Sequence, residues 1–248
     1  MTILRLLRAE IRKLTTTKLP WGFLAVLVLV AGLDAAVVAF GTDMDGSKAF
    51  IATAADQQSL MAFGSNAMIG TSIFGAIAVA REYGHKTVVP TFLTSPKRYR
   101  AVLAQLSAVL LAGAMLALVG QALVIAGVAL ALPSTDYGFL VSAGGVTRLL
   151  IASMVAGAVG AVLGAGLGAV IRNIGGAVTT AVLVLFVIPP LAVQLISATG
   201  SWIPPTLFAV ISGVSTDVNL GAALLAVVGW ALVPATAGLV AVQRRDVV

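Results

Sequence analysis

Cysteine is absent from the 248-residue chain, and histidine occurs once, at His85. Without thiols there are no disulfides, thiolate metal sites or cysteine nucleophiles, and one imidazole cannot build a multi-histidine centre. Charge is also scarce: 10% of residues are charged against 60% hydrophobic, with a mean hydropathy of +1.09. A soluble globular chain carries roughly 25% charged residues, so this one lacks the charge to coat a water-facing surface. Disorder needs the opposite composition, low hydrophobicity and high charge. What remains is an all-α integral membrane protein forming one domain over residues 1–248. Its net charge of +6 is then a matter of sidedness, and nucleic acid is not an expected partner.

A membrane-crossing helix needs about 20 largely apolar residues. Six stretches qualify, at about 19–40, 60–80, 101–132, 146–171, 175–197 and 220–242. Their apolar runs are continuous, without the every-second-residue alternation of a membrane β-barrel. The first run is too long for a signal-peptide core and reads as a retained span. Five Lys and Arg precede the first span, five lie between the second and third, one between the fourth and fifth, and two follow the sixth. Thirteen of fifteen therefore share one side, leaving Lys48 and Arg148 opposite. The positive-inside rule predicts that both termini are cytoplasmic.

Two cytoplasmic pieces stand out. In residues 2–18, Ile3, Leu7, Ile11 and Leu14 recur at helical spacing while Arg5, Arg8 and Arg12 take another face. This is an amphipathic interfacial helix, either a simple anchor or a helix that packs on a partner at the membrane surface. The second piece is the loop 81–100. Its apolar patch Val88 to Leu93 is short for a span and flanked by charges, which favours protein contact over a solvated loop. Ser95 and Pro96 predict the start of the helix that runs into the third span.

Inside the membrane, Ala156, Gly160, Gly164 and Gly168 repeat every four residues, a ridge for close helix packing within the chain or, less favourably, between copies. Ser65, Asn66, Thr71 and Ser72 give the second span its polar patch, suited to bonding a neighbouring helix or lining a pathway. Pro189-Pro190 predicts a break in the fifth span, with Gln194 beyond it. Asp34 is the one acid well inside an apolar run; it reaches water near the outer side or pairs with Arg148. No convergent Ser/His, paired Asp or Glu/His cluster marks a membrane-embedded enzyme, so the chain is expected to be non-catalytic.

The segment Leu7-Arg8-Ala9-Glu10-Ile11-Arg12-Lys13-Leu14, running into a first span, resembles the opening of permease subunits of ABC type-2 exporters. So does Glu82-Tyr83-Gly84-His85-Lys86-Thr87 followed by Leu93-Thr94-Ser95-Pro96-Lys97-Arg98, and the ending Arg244-Arg245-Asp246 is similar too. The resemblance implies an N-terminal connecting helix and a coupling helix in the loop 81–100, both touching a cytoplasmic ATPase. Glu82, Thr87, Phe92 and Leu93 would then be coupling residues. Pro90 departs from a continuous coupling helix, because it disfavours helix at Val89. The resemblance also implies two such permeases, identical or closely related, with two ATPase copies. Short helices between the fifth and sixth spans would close the external end, matching the segment from Gly200 to Val218. Spans two and five would line the pathway, with Phe63, Asn66, Phe74, Phe186 and Gln194 as its residues. The cargo would be amphipathic or lipid-like, a drug or a peptide. No Gly-x-x-x-x-Gly-Lys-[Ser/Thr] loop occurs here, so ATP and Mg would sit on the partner chain and no cofactor on this one. Location would be the plasma membrane, as a bacterial inner-membrane protein. A standalone secondary transporter or channel is the alternative.

Overall fold

The computed structural model describes residues 3–64, 67–84 and 98–244. Among them there is no strand, and six helices are long and apolar enough to cross a membrane. Helix α1 (Ile3–Thr16) precedes the first span, α2 (Leu19–Phe40). The second span is α3 (Ala54–Gly64) followed by α4 (Ala67–Gly84). Then come α5 (Arg98–Ala131) and α6 (Ala143–Ile171). Helix α7 spans Ile174–Leu195, the short α8 covers Pro204–Ser212 and α9 covers Leu220–Arg244.

Helix α6 is the centre of the bundle, packed on α4, α5 and α9. Its small residues explain why. A Cβ built on Gly160, Gly164 or Gly168 would run into the backbone of Met68, Ser72 or Ala76 on α4. Those pairs ascend together, so α4 and α6 run parallel. Gly113 on α5 and Gly157 on α6 meet reciprocally, each Cβ position 2.6 Å from the other's carbonyl oxygen. Gly166 approaches Pro234 on α9 just as closely. The glycine ridge is thus consumed inside the chain.

The parallel set α4, α6 and α9 fixes two ends. One, the terminal face, gathers α1 and the C-terminal ends of α4, α6 and α9; the other is the distal face. Helix α2 leans on α5 and leaves Val26, Leu29, Leu33 and Val37 exposed, an apolar surface suited to lipid.

Two details depart from expectation. The second span begins at Ala54 rather than near residue 60. Asp56, Gln57 and Gln58 precede the expected start, yet Gln57 is fully buried and its polar groups are satisfied within the fold. Gln57 donates to the Ile51 and Gly138 carbonyls and accepts from the Leu140 amide. The fifth span is not broken at Pro189-Pro190. A π-helical turn at Leu183–Val187 directly precedes the prolines and absorbs their missing donors, and the helix continues to Leu195. The hairpin before it turns at Arg172, in the left-handed region at φ 58°, and Asn173 caps α7 by accepting from the Gly176 amide at 3.0 Å. Ser95 and Pro96, expected to open α5, lie outside the described residues.

Candidate functional site

On the terminal face, α1 is held by an ion cluster. Lys13 donates to Glu10 at 2.6 Å and to Glu82 at 3.5 Å. Both carboxylates are buried. A helix whose apolar stripe alone faced the bundle would leave Glu10 outward. Instead Leu6, Glu10 and Leu14 are turned inward, while Ile11 is exposed and Arg5, Arg8 and Arg12 face outward. Beside this cluster, Arg172 lies over the Tyr83 ring at 5.0 Å and donates to the Ala241 carbonyl at 3.3 Å. Span two, the turn between spans four and five, and span six therefore meet at one knot.

Glu82 thus points into the chain, toward Lys13. Replacing Lys13 with Met strips the cation from two buried carboxylates. Breaking a buried pair costs about 3–5 kcal/mol, and screening of the partly exposed ammonium reduces that to about 1–2 kcal/mol. The expected result is faster tryptic cleavage at Arg8 and Arg12 as α1 lifts, with unchanged membrane insertion. Limited proteolysis of detergent-solubilised protein measures this.

The five pathway residues fall in different places. Phe63 is 48% exposed and borders a cleft of about 60 Å³ shared with Met68, Leu185, Pro205 and Phe208. Phe186 is 65% exposed on the π-turn of α7, and Gln194 is exposed near its end. Phe74 is fully buried on another side of α4, its ring edge-on to Phe23 at 5.4 Å. It does not join Phe63. Asn66 lies outside the described residues, as do Thr87, Phe92 and Leu93. Of the polar patch, Thr71 and Ser72 donate back to carbonyls of their own helix, Ala67 and Ile69, rather than to a neighbour.

On the distal face, Arg148 does not pair with Asp34. Its Nε donates to the Ile211 carbonyl and its Nη2 to the Val210 carbonyl, both at 3.0 Å. Gln58 donates to the Ser212 carbonyl at 2.8 Å. Three carbonyls at the end of α8 are thereby capped from two other spans, and the guanidinium faces the negative end of a helix dipole. Asp34 keeps one buried oxygen without a hydrogen bond. Leu207 is fully buried on α8, so this short helix is plugged into the bundle rather than laid upon it. Nothing in the amino-acid pattern signals these caps beyond an arginine placed on the sparsely basic side.

Gln121, also fully buried, donates to the Met61 carbonyl at 3.0 Å and accepts from Ser153 at 2.6 Å. It joins α3, α5 and α6 in the bundle interior.

Among the described residues no group of three or more His, Cys, Asp or Glu side chains is placed to hold a metal ion. The polar groups brought together are positioned to fasten helices to one another. In comparisons with protein-family models and with curated proteins, the chain matches none. Fold and composition together make it a multi-pass, all-α membrane protein with six apolar helices.

Proposed function

We propose that this chain is the membrane-spanning subunit of an ATP-driven exporter of the ABC type-2 kind. The observation that carries the reading is the Lys13–Glu82 link. It joins the basic interfacial helix to the end of span two, where the loop carrying the Val88 to Leu93 patch begins. A force applied to that loop by a cytoplasmic ATPase would reach both α1 and the α4–α6 seam. Sidedness supports it: thirteen of the fifteen Lys and Arg belong to the side assigned to the cytoplasm.

A second copy, or a close relative, completes the pathway along spans two and five. Their apolar side chains Phe63, Phe186 and Leu191 are exposed in the single chain. A cavity of this character suits amphipathic or lipid-like cargo, a drug or a peptide, and the chain itself is not catalytic. The setting is a bacterial inner membrane.

The test is purification from native membranes with analysis of co-purifying chains, followed by transport in proteoliposomes. Expected are a cytoplasmic ATPase carrying a phosphate-binding loop, and two membrane subunits per complex. Phe92→Asp with Leu93→Asp should abolish transport while the complex still inserts and hydrolyses ATP. Transport by this chain alone, without nucleotide hydrolysis, would replace the reading with a secondary transporter or channel.

A further inference from the structure

An apolar cleft with no role in the reading above lies between the interfacial helix and span one. A cleft of about 410 Å³ is bounded by Ile11 and Leu14 of α1, Trp21 and Leu24 of α2, and the side of α5 from Ala108 to Val119. Eleven helical steps of about 1.5 Å make it roughly 16 Å deep, close to one leaflet of a hydrocarbon core about 30 Å thick. Trp21 is 68% exposed, as suits an indole at the boundary between headgroups and acyl chains.

Above the cleft the surface changes to cationic. Arg8 and Arg12 sit on the exposed side of α1, flanking Ile11, and Lys18 stands at the junction with α2, one turn before Trp21. All three are exposed, and among the described residues no carboxylate pairs with them. The nearest acid in sequence, Glu10, is turned inward onto Lys13. An apolar slot one leaflet deep beneath three uncompensated cations matches one chemistry. We infer that this cleft binds an anionic glycerophospholipid, its acyl chain against α5 and its phosphate among Arg8, Arg12 and Lys18. A second copy of the chain fits poorly, because a two-fold interface here would set each basic cluster against its twin. The bound lipid would brace α1 against α2 and α5, independently of what the protein transports.

The experiment follows fluorescence of Trp21 in a chain carrying Trp202→Phe and Trp230→Phe, reconstituted in phosphatidylcholine vesicles. A minor fraction of the lipid is brominated on its acyl chains, either as phosphatidylglycerol or as phosphatidylcholine. Brominated phosphatidylglycerol should quench Trp21 preferentially, and each of Arg8→Gln, Arg12→Gln and Lys18→Gln should weaken that preference by up to roughly fivefold. Ala112→Phe, which plugs the cleft and leaves the cations in place, should remove it; Thr15→Phe serves if that variant fails to insert. Equal quenching by the two lipids would overturn the proposal. So would a preference that survives the triple Gln variant, or one that survives plugging, since the latter would mean general attraction to a basic helix with no seat for the chain.

Discussion

Gly164→Leu should prevent stable assembly of the bundle, and even Gly164→Ala should weaken it by about 2–3 kcal/mol or more. The Cβ of any other residue at Gly164 would overlap the Ser72 carbonyl oxygen and stand 2.9 Å from the Ala76 amide nitrogen. These are backbone atoms of α4, so no rotamer change relieves the clash, and the helices must separate. Overpacking a relaxed core typically costs about 1–3 kcal/mol; here the seam between α4 and α6 is the most extensive in the chain, so separation forfeits contacts along its whole length. Gly160 and Gly168 sit one turn either side and meet Met68 and Ala76 in the same way. Gly32→Ala is the matched control. Nothing lies within 4 Å of where its Cβ would stand, and alanine in a helix interior is favoured over glycine by about 0.8–1.0 kcal/mol. Unfolding titrations in mixed micelles should therefore move in opposite directions for the two alanine variants. A Gly164→Ala protein as stable as Gly32→Ala would remove the seam from the account.

The spans were legible because hydrocarbon imposes a length and a composition that an apolar run cannot hide. The glycine ridge was legible for a related reason: small residues every four positions have few uses other than close approach. Rotation of each helix was not. Phe63 and Phe74 lie eleven residues apart on the same span and are both aromatic, yet one is half exposed and the other completely enclosed. Only neighbouring helices decide between them. Long-range polar pairs were equally hidden. Lys13 and Glu82 are 69 positions apart, and Arg148 is 63 from Ile211. Neither carries a local pattern, since a guanidinium that caps a distant helix looks in sequence like any external arginine. Gln57 misled in the other direction. It precedes the start expected for the second span, near residue 60, whereas three hydrogen bonds let it sit wholly inside.

Removal of the Arg148 guanidinium should release α8. Hydrogen bonds to a charged group are worth about 1.5–3 kcal/mol each, and Arg148 makes two, to Val210 and Ile211. Arg148→Ala therefore removes both charged donors, leaving the Ile211 carbonyl without a donor and the Val210 carbonyl with only the Gly213 amide at 3.2 Å, and should cost α8 about 3–5 kcal/mol of local stability. Gln58→Leu removes one neutral bond to Ser212 and should cost about 1 kcal/mol. Arg148→Lys should fall between them, because an ammonium keeps the charge at the helix terminus but cannot reproduce the fork that serves two carbonyls. The chain has no cysteine, so a single Leu207→Cys reports opening directly. That position is fully enclosed by the bundle, and a membrane-impermeant maleimide reaches it only when α8 lifts. With every 1.4 kcal/mol worth tenfold, labelling should accelerate about a hundredfold or more with Arg148→Ala and about fivefold with Gln58→Leu. In the exporter reading, α8 closes the external end, and the same Arg148→Ala substitution should leak small solutes while α1 and the terminal face keep their protease resistance. Slow labelling of Leu207→Cys in the Arg148→Ala background would show that burial of Leu207 and Val210 alone holds α8 in place, with the arginine a minor contributor.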